Sequence, residues 1–464
     1  MPGEDYPQND LVQENPTPEM KGGKRILDSR KFWAVASLSV ISYVALFDLR
    51  IITASDTLQV QYTPDDAYYY LGLARNFVRL GFWTFDSGVS TASGFHPLLA
   101  YILSLLYGVF RPTTGEFVRY GLALTSLTTL ATALGIWLLG VRRSLPYSMM
   151  FLTLLISSTN FIYNSVSVME WPLVVLLAFL YCFCYYRTYS SIKKRDWVML
   201  LILGLMGSLA RSDFGLLPFS FFVANLILYY VGKNKAAILS SLTGLAGATL
   251  GVLLVFAHIQ FFTGNFLQSS VKMKAYWAMV YGDKYPSAIG LIFNVLNIAP
   301  PSLWLFGGIL ALLGTLVLFL FVRSSSKKQG AFKVFGLVLG GTQSLRVLTM
   351  AVAAGLCIVG DVFTYAHSGT IQPWYTANFL APVFILLVFL AEYIDSRMWN
   401  SLRPFARLVL QRHFVLLRHF NKYTHWRDLM KGDRHEQTYF ALGSTVPEQT
   451  PSQWLPSNGS VDTI

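Results

Sequence analysis

Residues 119–140 read RYGLALTSLTTLATALGIWLLG, and after Arg119 the run holds no charged side chain. Residues 302–322, SLWLFGGILALLGTLVLFLFV, hold none at all. About 20 mostly apolar residues in helical geometry cross the hydrocarbon of a bilayer. There the backbone must satisfy its own polar groups, which a helix does within one segment. Both runs therefore read as bilayer-spanning helices. The whole chain agrees: of 464 residues, 54% are hydrophobic and 13% charged, about half the charged share of an average soluble protein. The predicted fold class is all-α, a polytopic transmembrane helix bundle with interfacial helices in its first outer loop.

The same criterion gives spans near 33–54, 118–140, 146–162, 171–187, 197–212, 214–231, 237–260, 302–322, 345–366 and 375–394, ten in all. The polar leader carries Lys21, Lys24, Arg25 and Arg30 and precedes the 33–54 run without a cleavage pattern. It reads as an uncleaved signal anchor with a cytoplasmic N-terminus. Basic residues mark the cytoplasmic side. Arg142 with Arg143, the group Lys193, Lys194 and Arg195, Lys233 with Lys235, and Arg323 with Lys327 and Lys328 all fall inside under this count. Ten spans return the C-terminus to the cytoplasm. Counting 97–110 (PLLAYILSLLYGVF) as a further span would put Lys193 and Arg195 outside, and its 14 residues are short for a crossing. It is expected to lie at the outer interface, as is the amphipathic stretch 287–299.

The formal net charge of +12 thus belongs to cytoplasmic loops and to membrane lipids, and does not call for nucleic acid. Cys182, Cys184 and Cys357 sit inside apolar runs without disulfide or zinc spacing and read as small apolar fillers. Past residue 395, FARLVLQRHFVLLRHF (405–420) spaces apolar residues helically with basic residues between, a pattern for an amphipathic helix on an anionic leaflet. The last thirty residues are polar and read as disordered. Asn458-Gly-Ser fits a glycosylation pattern but falls on the cytoplasmic side and is discounted.

Two outer loops are long, 55–117 and 261–301. The first begins PDDAYYYLGLARNF at Pro64. Proline opens a helix at its first turn, which puts Asp65 and Asp66 where the helix dipole favours carboxylates. Tyr68, Tyr69 and Tyr70 follow as an aromatic rim suited to the bilayer surface. Helix capping is the plain reading of the acidic pair. Its place, just past the first span and ahead of GFWTFDSG (81–88) and GFHPLL (94–99), makes it a candidate site.

These motifs resemble the GT-C superfamily of membrane glycosyltransferases, which includes protein O-mannosyltransferases and the lipid A aminoarabinose transferase. Later segments resemble that family in the same order. They are NSVSVMEWP (164–172), LARSD (209–213), GNFLQSSVK (264–272) and QPWY (372–375). The resemblance covers about residues 33–394, flanked by a cytoplasmic tail at 1–32 and another at 395–464. The acidic first loop is its most specific part.

The resemblance implies an inverting glycosyltransferase that moves a sugar from a polyprenyl-phosphate or dolichyl-phosphate donor to a glycan, lipid or protein acceptor on the extracytoplasmic face. A carboxylate near the acceptor hydroxyl can take its proton. The resemblance gives that role to Asp65, the first of the pair. Asp66, about 100° further round the helix, becomes support or acceptor contact. Arg211, Lys272 and Lys274 are candidates to meet the donor phosphate. Arg211 stands out because LARSD interrupts a long apolar run, and an ionisable residue at such depth is a functional candidate by default. Its plain alternative is a turn paired with Asp213. His96, Glu170 and Trp374 are candidate acceptor or sugar contacts, with helix capping and the interfacial aromatic belt as their alternatives. No further clustered ligands accompany the Asp pair, so no metal or other cofactor is expected; a divalent cation on the pair stays open. The implied location is the plasma (inner) membrane of a prokaryote. Two other classes compete: a lipid-linked-glycan flippase, and a non-catalytic subunit of a glycan assembly complex. A flippase predicts charges at mid-membrane and often an internal repeat, and no repeat is visible.

Overall fold

A computed structural model of the chain describes residues 22–272 apart from 87, 144–145, 158 and 190–192, together with 276, 342–365 and seven positions between 377 and 388. The expected spans 302–322 and 375–394, the 287–299 stretch and both polar tails lie largely or wholly outside the described residues.

All described elements are helical. They are α1 (Gly22–Ile52), α2 (Asp56–Tyr62), α3 (Asp65–Leu80), α4 (Pro97–Phe110), α5 (Thr114–Arg143), α6 (Pro146–Ile156), α7 (Thr159–Ser165), α8 (Trp171–Thr188), α9 (Lys194–Ala210), a 3-10 turn (Ser212–Gly215), α10 (Leu216–Gly232), α11 (Lys235–Thr263) and α12 (Thr342–Tyr365). Among the described residues, five helical segments are long and apolar enough to cross a membrane: Lys31–Ile52, Thr114–Arg142, Trp171–Thr188, Ser212–Tyr229 and Lys235–Thr263. By length and composition these helices suit a membrane protein.

Three elements differ from the sequence expectation. The first helix begins at Gly22, well before residue 33. The expected span 146–162 is two helices, α6 and α7. The break falls in the polar run SSTN, where the Ser157 hydroxyl turns back to the Thr153 carbonyl at 2.5 Å, the kind of side-chain bond that competes with regular helix. A short helix, α2, also precedes Pro64.

Helix α3 starts as Pro64 predicts. Pro64 is its N-cap in extended geometry, Asp65 and Asp66 fill the first turn, and Gly81 closes it at φ 83. The left-handed cap is the conformation that favours glycine. Helix α4 spans 14 residues from Pro97 and packs against α3.

Among the described residues, α9 and α11 approach each other backbone to backbone. A Cβ on Gly204 would strike the Gly244 carbonyl, one on Gly247 would strike the Leu201 carbonyl, and one on Gly251 would lie 2.6 Å from the Leu205 carbonyl. In lipid the hydrophobic effect does not drive helices together, so small residues that admit close van der Waals packing do that work.

Helix α11 then carries the loop that follows α3. Trp83 is fully buried and stacks on Phe77 with centroids 4.1 Å apart. Phe95, Tyr101 and His258 surround it at 4.9, 5.0 and 5.9 Å. Asn76 donates to the Thr84 carbonyl at 2.8 Å, and the Ala92 N–H donates to the Trp83 carbonyl at 2.9 Å. Between these ties Asp86 organises a turn. It accepts from the Thr84 hydroxyl at 2.6 Å and the Ser90 N–H at 2.9 Å. Its Oδ2 accepts from the Ser90 hydroxyl at 2.5 Å, and these bonds, that hydroxyl's first, hold its carboxyl below the usual range.

Replacing Gly247 with Leu is expected to force α9 and α11 apart and cost about 1–3 kcal/mol, read as a lower unfolding temperature in detergent; an unchanged temperature refutes the close-packing account. For Asp86 the folded value is depressed, so its contribution is full above the ordinary carboxylate range, about pH 4, and is lost as pH falls through the folded value. Asp86→Ala should therefore speed hydrogen exchange at the Ser90 amide at pH 7, while wild-type protection persists down to about pH 4.

Candidate functional site

Four segments separated in sequence meet at one end of the bundle. Tyr70 comes from the buried face of α3, His96 is the N-cap of α4, Glu170 is the N-cap of α8, and Arg211 is the C-cap of α9. Asp213 lies in the 3-10 turn that follows.

Arg211 is the centre of this group. The chain is extended there, at φ −165 and ψ 122, between the end of α9 and the turn. This turns the side chain back under the helix ends, where it is 2% exposed. Its Nε donates to both carboxylate oxygens of Asp213, at 2.9 and 3.0 Å. Its Nη1 donates to Glu170 Oε1 at 3.4 Å. Glu170 is itself 3% exposed. Its other oxygen accepts from the Tyr70 hydroxyl at 3.3 Å, and that hydroxyl in turn accepts the His96 N–H at 3.2 Å. The His96 ring closes the group, with Nε2 3.9 Å from Glu170 Oε1.

Electrostatics follow from this burial. Desolvation first, and the Glu170 charge next, push the Tyr70 phenol well above its ordinary value, so at neutral pH it stays a hydrogen-bond donor to Glu170. Glu170 and Asp213 place two carboxylates around the Arg211 guanidinium. The site is pre-organised, with oxygen and N–H groups suited to a hydroxyl-bearing group.

The predicted residues divide as follows. Asp65 is exposed, and its carboxylate accepts the Asp66 N–H at 2.9 Å. It is close enough to Tyr163 of α7 for their charges to interact. Asp66 is half-buried. It stands four residues before Tyr70, which puts the two on one face of α3 about one turn apart. The pair is thus split: Asp66 is half-buried on the face that carries Tyr70, and Asp65 is exposed. Glu170, Arg211 and His96 are brought together, and the Arg211–Asp213 turn read as the plain alternative does form.

Lys272 is exposed on a segment docked against the loop that leads into α4. Gln268 donates to the Phe95 carbonyl at 3.2 Å, and the Ser269 N–H donates to the Ser93 hydroxyl at 3.1 Å. The fit at Gly94 is close: a Cβ there would sit 3.0 Å from Ser269 Oγ, and the serine would have to shift by a few tenths of an ångström. Lys274 and Trp374 lie outside the described residues. Among the described residues, no group of three or more His, Cys, Asp or Glu side chains is disposed to hold a metal ion.

Sequence reasoning missed two residues. Tyr70 read as membrane rim, although its i+4 spacing from Asp66 was available. Asp48 lies inside the first apolar run and is fully buried; an acid within a span was itself the signal.

The chain matches no family model, no curated protein and no solved structure.

Removing one member of a buried charge group strands the others, at about 3–5 kcal/mol. Arg211→Met is expected to destabilise the protein by that order in detergent unfolding, and Glu170→Gln, which keeps a hydrogen-bonding partner for Tyr70, by less. Equal, small effects would mean the group is open to water.

Proposed function

We propose that this protein is an inverting glycosyltransferase that moves a sugar from a polyprenyl-phosphate or dolichyl-phosphate donor to an acceptor on the extracytoplasmic face of a membrane. One observation carries the reading. The segments through which the sequence resembles GT-C enzymes supply Tyr70, His96, Glu170, Arg211 and Asp213, and these lie within one hydrogen-bonded group. Asp66 shares a face of α3 with Tyr70, and Gln268 and Ser269 of the GNFLQSSVK segment bond to Phe95 and Ser93, just before His96.

In this reading Asp65 is the base. It is exposed at a helix N-terminus, where an arriving acceptor hydroxyl can reach it. As the proton passes to Asp65, the acceptor oxygen bonds to the anomeric carbon. The bond from that carbon to the phosphate oxygen breaks, and the lipid phosphate leaves with the electron pair. Asp66 and the Glu170 group hold sugar or acceptor hydroxyls. Lys272 and Lys274 meet the phosphate. Arg211 joins them by exchanging its longer contact, to Glu170, for a phosphate oxygen. The bundle has ten spans with both termini cytoplasmic, in the plasma (inner) membrane of a prokaryote.

A flippase would need charge at mid-membrane. Asp48 and Asp361 are buried acids in apolar helices, and each lies about one turn from its helix end, nearer the boundary than the centre. The acidic group likewise gathers at helix ends, which favours chemistry at one face.

The test is turnover by the protein in nanodiscs containing polyprenyl-phosphate sugars, followed as release of polyprenyl phosphate. Asp65→Asn should leave the unfolding temperature unchanged and lower the rate by about 10²–10⁴-fold. Undiminished turnover by that variant sinks the mechanism. Lipids of a deletion strain then identify the sugar, as the donor that accumulates.

A further inference from the structure

Glu170 reaches its partners at the end of an unusual segment. The chain leaves α7 at Ser165 and enters α8 at Trp171. Every residue from Ser165 to Glu170 is buried. Val168 adopts φ 51, a left-handed conformation in which a β-branched residue is a steric outlier. Such geometry persists only where its surroundings over-determine it.

The surroundings here are specific. On one side the Val168 side chain fills the space over Gly121 of α5, where a Cβ would lie 2.6 Å from Val168 Cγ1. Within the segment, the Ser167 hydroxyl donates to the Asn164 carbonyl at 3.1 Å. At the segment's start, Ser165 Oγ lies 2.8 Å from Asp48 Oδ1 and 2.6 Å from the Ile162 carbonyl, with one proton shared between the two acceptors. The other oxygen of Asp48 accepts from the Ser126 hydroxyl at 2.6 Å. Asp48 is thus a fully buried acid on α1 that ties α5 with one oxygen and the 165–170 segment with the other.

We propose that Asp48 is a positioning residue, holding the strained 165–170 segment in the register that brings Glu170 to Tyr70 and Arg211. The two-sided geometry accounts for a fully buried acid on an apolar helix. A carboxylate offers two acceptor oxygens, one to each serine, which a single hydroxyl cannot do. Asparagine keeps both contacts by accepting from one serine and donating to the oxygen of the other. Alanine keeps neither. The catalytic part of the proposal rests on the reading of the Glu170 group as the reacting site; the structural part does not.

The experiment uses the full-length protein in nanodiscs with Met169→Cys as a reporter. Met169 is 3% exposed, and the three native cysteines are buried, so the reporter protein should react slowly with maleimide. Adding Ser165→Ala or Asp48→Ala should speed labelling about tenfold, the shift expected from loss of one hydrogen bond of this kind. Asp48→Asn should restore the slow rate. Ser126→Ala, which cuts only the α5 arm, should leave it slow. In the turnover assay Ser165→Ala should lower kcat and leave KM unchanged.

Labelling that stays slow in Ser165→Ala overturns the proposal, and this variant decides the matter if Asp48→Ala does not fold. Equal acceleration by Ser126→Ala also overturns it, because Asp48 would then be a general staple. If no donor is turned over by the wild-type protein, the function reading fails while the labelling still decides the positioning role.

Discussion

A guanidinium removed from water must be met by carboxylates, and much of this protein is arranged around meeting one. Arg211 is buried at the junction of α9 and α10, so Asp213 must follow it closely and Glu170 must arrive from another helix. Isolated burial of either charge type is far costlier than burial of the group. The requirement reaches outward. Glu170 must cap α8 in a particular position, so the segment before it is tied down at Ser165 and Val168. Tyr70 must stay protonated beside Glu170, so α3 must lie with that face inward. The surface helix is in this way coupled to the bundle through a charge it does not carry.

Packing supplies the frame that makes such arrangements possible. Gly204, Gly247 and Gly251 let α9 and α11 touch backbone to backbone, and Gly244 makes room for Tyr181 of α8; the first three fix where α9 ends and therefore where Arg211 stands. The far end of α11 then reaches up to Trp83 through His258 and Phe262, and the segment after it hydrogen-bonds to Ser93 and Phe95. One helix pair thus locates both the cation at the centre of the site and the loop that leads to His96. The aromatic cluster does for the loop what the glycines do for the bundle: it replaces water with contacts whose geometry is specific.

Much was legible without any structure. Spans were visible because an uncharged run of bilayer length has few other physical solutions. The start of α3 was visible because Pro64 and two aspartates are local signals, read by backbone geometry and the helix dipole alone. Helix boundaries at Gly81 and Pro97 were equally local. The break between α6 and α7 was not read, because hydropathy outweighs four polar residues in a window even when their side chains compete for the backbone. Asp48 escaped for the same reason: one acid does not change the mean of an apolar run.

By itself the sequence determined the helices, the apolar segments that suit a bilayer, and the placing of an acidic pair in the first turn of a helix after the first long apolar run, since each follows from neighbours close in the chain. Only the tertiary structure decided which carboxylates are paired, Glu170 with Tyr70 and Arg211 across three helices. The physical reason is distance along the chain. Tyr70 and Glu170 are 100 residues apart and Glu170 and Arg211 are 41 apart. Whether such groups meet depends on how helices pack and rotate, which no local spacing encodes.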